Sequence, residues 1–167
     1  MPQRLSNKEL AHLPKEVARP GYDRSKVTPG ILHFGVGAFH RSHQALTIDR
    51  LLEKGLANDW GIIGVGLLAG DSKMRDALNP QDCLYTLITK HSDGKVDYQV
   101  IGSIISYLFA PDSPAKVIEA ICDPAIRIIS LTITEGGYSF DRVTGEFDPT
   151  TASVAHDLKD SSSPVSA

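Results

Sequence analysis

Cysteine is nearly absent from these 167 residues: only Cys83 and Cys122 occur, too far apart for a CxxC pair or a zinc ribbon. That excludes a disulfide framework and fits a reduced, cytoplasmic protein. A basic excess is missing as well. Seventeen Lys and Arg against 20 Asp and Glu leave a formal charge of -3, so the concentrated positive surface that a phosphate backbone needs is lacking and no nucleic acid partner is expected. Long apolar runs are also missing. Positions 1–30 are polar and punctuated by proline, with neither a signal peptide nor a membrane span, so no membrane partner and no export are expected. No internal repeat is present. What remains is a chain long enough for one domain, burying roughly 70% of its extended surface.

The residues that are present alternate between two periods. Residues 31–36 form a short apolar run that ends at Gly35-Val36-Gly37, as a buried strand does when it stops in a tight turn. From 40 to 56, Ile48, Leu51, Leu52 and Leu56 recur at helical spacing while Arg50, Glu53 and Lys54 take the other side. Residues 60–67 read as a second buried strand, followed by the helix-start residues Asp71 and Ser72 and a stop at Asn79-Pro80. The next pair of segments, 83–89 and 96–102, flanks Ser92-Asp93-Gly94 and predicts an antiparallel hairpin. A helix with Val117, Ile118 and Ile121 on one face follows, closed by Asp123-Pro124. Residues 126–134 then predict another buried strand. At its exit, Thr132, Thr134, Glu135, Gly136 and Gly137 cluster where ligands of parallel α/β sheets bind. Beyond Asp141 the chain turns loop-like and polar.

Strand, Gly-x-Gly and helix in succession suit a pyrophosphate, because the backbone N–H groups at the helix start carry positive charge without a basic side chain. Gly35 permits the turn and Gly37 admits the phosphate. The usual fingerprint has a third glycine three residues later, and here that position is His40. Gly-x-Gly after a strand is also an ordinary tight turn. Asp71, just past the second strand, can accept bonds from ribose hydroxyls or simply cap a helix. His40 and His43, spaced i and i+3, offer two imidazoles to a metal, but no third ligand and no HExxH or HxH pattern accompany them. A polar helix start is the plain reading, and no metal is expected. His33 and His91 read as ordinary strand and turn residues.

Three segments in order, ILHFGVGAFHRSHQ at 31–44, GIIGVGLL at 61–68 and SLTITEGGY at 130–138, resemble the N-terminal half of the mannitol dehydrogenase family of long-chain polyol dehydrogenases. Phe-His-Arg-x-His-Gln directly after Gly-x-Gly is far more specific than a generic fingerprint. The resemblance covers about residues 28–160 and implies an α/β, Rossmann-type doubly wound, mostly parallel sheet with an inserted antiparallel hairpin. It divides the chain into an N-terminal extension (1–28), an NAD(P)-binding domain (29–148) and a linker or start of a further region (149–167). It also implies oxidation of mannitol to fructose, or reduction of fructuronate or tagaturonate, with NAD or NADP, and hence a polyol, keto sugar or sugar acid as small-molecule partner.

Relatives in that family are roughly three times as long, and a second, mostly helical domain supplies the catalytic lysine with asparagine and histidine partners. The lysine takes the proton from the substrate hydroxyl as hydride passes to the nicotinamide. The implied contacts here are therefore to cofactor alone: Gly35, Val36, Gly37, Ala38, Phe39, His40 and Arg41 around the pyrophosphate, Asp71 at the ribose, and Thr134 with Glu135 at the nicotinamide. No catalytic residue is expected among the 167, which by themselves are expected to be inactive. An apolar surface facing the second domain would favour self-association. A non-catalytic nucleotide-binding module or truncated remnant, and a His40/His43 metal-dependent hydrolase, are the alternatives.

Overall fold

The computed structural model describes residues 4–133, 135–141 and 143–165, with the backbone alone for Glu135 and Gly136. In chain order the strands and α-helices are β1 (Val17–Ala18), β2 (Pro29–Phe34), α1 (Ala38–Ser42), α2 (Gln44–Glu53), β3 (Gly61–Gly66), α3 (Ser72–Leu78), β4 (Tyr85–Lys90), β5 (Val96–Ile101), β6 (Ile104–Phe109), α4 (Pro114–Ile121), β7 (Ile128–Leu131) and α5 (Ala152–Lys159). They fall into two compact units, Met1–Thr132 and Ile133–Ala167. Among the described residues no helix is long and apolar enough to cross a membrane.

The first unit is built on a parallel sheet in the order β6-β3-β2-β7. The alternation along β2 sorts its side chains to the two faces: Ile31 joins Ala45, Ile62 and Ile104 on one side, while Leu32 joins Val65 and Val117 on the other. Helices thus cover both faces, α2 on the first and α4 on the second, which is the doubly wound Rossmann-type arrangement expected. From β2 the chain steps outward to β3 and β6, then returns to place β7 on the opposite side of β2. The strand order therefore reverses between β2 and β7.

The expected hairpin is present as β4 and β5, antiparallel from Tyr85 opposite Ile101 to Lys90 opposite Val96, with Gly94 at φ +85 in the connection. In a second sheet β1 lies parallel to β5, so the N-terminal segment is part of this structure. Arg24 ties it in by donating from Nε to the Gly102 carbonyl at 2.9 Å and from Nη2 to the Asp82 and Ile104 carbonyls at 2.8 and 3.0 Å.

Three elements depart from expectation. The helix predicted over 40–56 is two helices, broken at His43 (φ -122, ψ -74) and finished at Glu53, which leaves Leu56 exposed. Strand β6, not expected from sequence, follows the hairpin after only Gly102 and Ser103. Strand β7 is not buried: Ile128, Ile129 and Leu131 are 42, 49 and 57% exposed. Among the described residues it pairs with β2 alone, so its apolar composition lies on a sheet edge. The second unit holds a short helical turn (Glu135–Tyr138), a bridge between Phe140 and Phe147, and α5.

Candidate functional site

The carboxyl ends of β2 and β7 flank the point of strand reversal, the position at which open α/β sheets bind ligands. Gly35 leaves β2 with φ +79, a conformation costly for any residue with a Cβ, and its N–H donates to the Val65 carbonyl at 2.8 Å. Val36 turns inward and is buried; Gly64 of β3 makes room for it, since a Cβ there would stand 2.5 Å from Val36 Cγ2. Gly37 then bonds from N–H to the Gly35 carbonyl at 2.7 Å and begins α1. Among the described residues a Cβ on Gly37 would meet nothing closer than 3.9 Å, which leaves this side of the turn open to them.

The first intrahelical bond of α1 runs from Arg41 N–H to Gly37 O at 3.1 Å, leaving the N–H groups of Ala38, Phe39 and His40 ahead of it with no intrahelical acceptor. Arg41 braces the turn rather than reaching outward: Nη1 donates to the Val36 carbonyl at 2.8 Å, and Tyr85 Oη donates to the Arg41 carbonyl at 2.5 Å. Phe39 is 64% exposed and stacks on His43 with ring centroids 4.3 Å apart.

His40 points the other way. It is buried, and its ring lies 3.7 Å from that of His33 with the planes 10° apart. Its Nδ1 bonds to Gln44 Oε1 at 2.8 Å, so Nδ1 carries the proton and Nε2 is an acceptor without a partner among the described residues. His43 Nδ1 instead lies 3.0 Å from the Phe39 carbonyl. The two imidazoles expected to share a helix face are thus separated by the break at His43. Among the described residues no three His, Cys, Asp or Glu groups gather as a metal site requires.

His33, read from sequence as an ordinary strand residue, is a member of this cluster. Its Nδ1 lies 2.9 Å from Ser130 Oγ of β7. Gln44 and Ser130 lie in the motifs that carry the family resemblance, but sequence alone assigns them no role. The signal for His33 was its period-2 phase with Ile31, which assigns it to the α1 face.

Burial, the contact with His33 and the nearby Arg41 push His40 down from 6.5 to about 4, and burial lowers His33 as well. The unfolded chain takes up a proton near pH 6.5 and the folded chain does not. The stability associated with neutral His40 is therefore complete above pH 6.5 and is lost as pH falls toward 4, about 2 kcal/mol of it by pH 5. Urea unfolding at pH 7 and pH 5 checks this. The difference between the two pH values shrinks in His40→Phe; an undiminished difference rules His40 out as its source.

Asp71 ends a short helical turn after β3, and its Oδ2 accepts from the N–H groups of both Leu67 and Leu68 at 2.9 Å. It makes no side-chain cap on α3. The cap it does make is on the helical turn Ala69–Asp71 that precedes α3, where the Leu68 N–H donates to it, and the same carboxylate fastens the strand exit behind it. Thr134 lies outside the described residues. Glu135 opens the helical turn of the second unit, and its side chain lies outside them too. A cleft of about 590 Å³ lined by Tyr22, Arg24, Asp82, Cys83 and Tyr107 contains none of the expected contact residues.

The family model described as the mannitol dehydrogenase Rossmann domain matches residues 29–163. The chain belongs to this family. Among mannitol dehydrogenase relatives, the polyol:NADP oxidoreductase of Gluconobacter oxydans is 43% identical over 96% of the chain and 33% of its own length. The mannitol 2-dehydrogenase of Cereibacter sphaeroides is 45% identical over 92% and 32%. The Pseudomonas fluorescens mannitol 2-dehydrogenase, solved as a ternary complex with NAD and D-mannitol, superposes with a TM-score of 0.82 at 44% identity, covering 97% of this chain and 33% of that one. The chain spans about one third of the length of these mannitol dehydrogenase relatives.

Proposed function

We propose that residues 29–148 are the NAD(P)-binding domain of a polyol or sugar-acid dehydrogenase, and that they hold the dinucleotide across the crevice between β2 and β7. The observation that carries this reading is the strand reversal with Gly35-Val36-Gly37 at its mouth, in a chain 44% identical to an enzyme solved with NAD and D-mannitol. The open space beside Gly37 fits a pyrophosphate, and the N–H groups of Ala38, Phe39 and His40 face a negative charge without a basic side chain. Bound there, NAD supplies the hydride acceptor; these residues bind and orient it. Gly35 and Val36 shape the turn, Arg41 braces it, and Asp71 meets the adenosine ribose. Thr134 and Glu135 are proposed at the nicotinamide from the family resemblance alone.

Mannitol and fructose are the proposed substrate pair, with fructuronate or tagaturonate as the sugar-acid alternative. The resemblance places the proton-accepting lysine outside residues 1–167, so this polypeptide is proposed to bind cofactor without turnover. Self-association through the exposed apolar edge at Ile128, Ile129 and Leu131 belongs to the same reading.

NAD is the proposed cofactor, with NADP as the alternative supported by the name of the Gluconobacter relative. A carboxylate beside the ribose accepts hydroxyl bonds and repels a 2'-phosphate. Asp71→Asn keeps an oxygen for the Leu67 and Leu68 N–H groups and removes the charge. Fluorescence titration with NADH and NADPH should show the affinity ratio moving about tenfold toward NADPH in this variant. An unmoved ratio would make Asp71 a loop fastener only, and failure of the unchanged chain to bind either ligand would end the proposal.

A further inference from the structure

In a three-glycine fingerprint the position of His40 carries no side chain, and that lets the helix lie close on the strand. Here the space is filled by the stacked imidazoles of His33 and His40. Around the stack runs a set of polar contacts that joins four elements. His40 Nδ1 donates to Gln44 Oε1 at 2.8 Å, Gln44 Nε2 donates to Ser130 Oγ at 3.4 Å, His33 Nδ1 lies 2.9 Å from the same Ser130 Oγ, and Thr132 Oγ1 lies 3.4 Å from His33 Nε2. These contacts tie β2, α1 and α2 to β7, whose partnership with β2 marks the strand reversal.

An apolar filling would hold a helix on this sheet at lower cost, because His40 Nε2 is a buried acceptor with no donor among the described residues. Apolar contacts are non-directional, however, and permit small slides along the strand. Hydrogen bonds to one hydroxyl of β7 define where the start of α1 stands along that strand.

We propose that His40 and Gln44, with His33 and Ser130, are positioning residues that lock the start of α1 to the carboxyl end of β7, so that a ligand touching both sides of the crevice finds them in one register. This rests on the dinucleotide reading. A ligand that engages only the Gly35-to-Arg41 turn and Asp71, such as ADP, does not depend on that register. A full dinucleotide does.

Calorimetric titration of the 167-residue chain with NADH and with ADP separates the two. Gln44→Met keeps the length of the side chain and removes both hydrogen bonds; it should weaken NADH about tenfold and ADP less than twofold, as loss of preorganisation does. Ser130→Ala, which removes one hydroxyl, should show the same split even if the larger change disturbs folding. His40→Asn, whose amide N–H stands in for Nδ1–H, should retain more NADH affinity than His40→Phe. Equal losses for both ligands, or no loss for either, would overturn the positioning role. Nitrogen NMR of the unchanged chain supplies an independent readout: His40 should be the neutral Nδ1–H tautomer at pH 7, and an Nε2–H tautomer would overturn the lock while leaving the cofactor reading untouched. Absence of binding by both ligands to the unchanged chain would overturn the cofactor reading and the lock together.

Discussion

Replacing Gly37 with valine should leave the chain folded and lower its affinity for NAD a hundredfold or more, about 3 kcal/mol, the upper range for a steric intrusion into a fitted site. The fold does not require glycine here. Gly37 has φ -80, which any residue adopts, and among the described residues an added Cβ finds only Gly35 O at 3.9 Å. What a valine would fill is the space proposed for the pyrophosphate. Gly35 provides the contrast: with φ +79, its replacement by valine strains the backbone itself and should lower the melting temperature. Calorimetry with NAD and thermal melts by circular dichroism distinguish the two glycines. A well-folded Gly37→Val chain with unchanged NAD affinity would remove the cradle from the proposal.

Asp49→Ala should cost about 3 kcal/mol of stability at pH 7, whereas Asp49→Asn should stay within about 1 kcal/mol of the unchanged chain. The carboxylate is buried in α2 and accepts three bonds: Tyr22 Oη at 2.6 Å and Gly102 N–H at 2.8 Å on Oδ1, and Gln99 Nε2 at 3.3 Å on Oδ2. It therefore joins the N-terminal segment, the helix after the glycine turn and the end of the hairpin. Alanine leaves the buried Gly102 N–H without an acceptor. Asparagine keeps Oδ1 for Tyr22 and Gly102, and rotation of the Gln99 amide restores the third bond. Burial raises the Asp49 carboxyl above its ordinary value, more than its hydrogen bonds lower it. The ion is thus held at an electrostatic cost that the neutral amide avoids. Urea denaturation of both variants is the measurement. Equal destabilisation by alanine and asparagine would mean that charge, rather than the accepted bonds, is what this position supplies.

Much of the architecture was legible because it follows from local chemistry. The apolar runs before Gly35 and Gly66, the turn glycine at 94 and the stop at Asn79-Pro80 each specify an element from neighbours in the chain, and β2, β3, the hairpin and α3 appear where those signals stand. The motif with Phe39, His40 and Arg41 was specific enough to indicate the family that the match over 29–163 confirms.

Pairing and burial were another matter. An apolar composition marks a strand but does not say whether a neighbour will cover it, so β7 was expected inside and lies on an edge. The helix after Gly37 has a continuous apolar spacing, yet His43 breaks it and sends His40 and His43 to different surroundings. Sequence determined which residues can be strand, turn or helix, because those preferences are set within a few bonds. Only the tertiary structure decided that His33, His40, Gln44 and Ser130 meet, because Ser130 comes 86 residues after Gln44 and joins it through strand order rather than through any local preference.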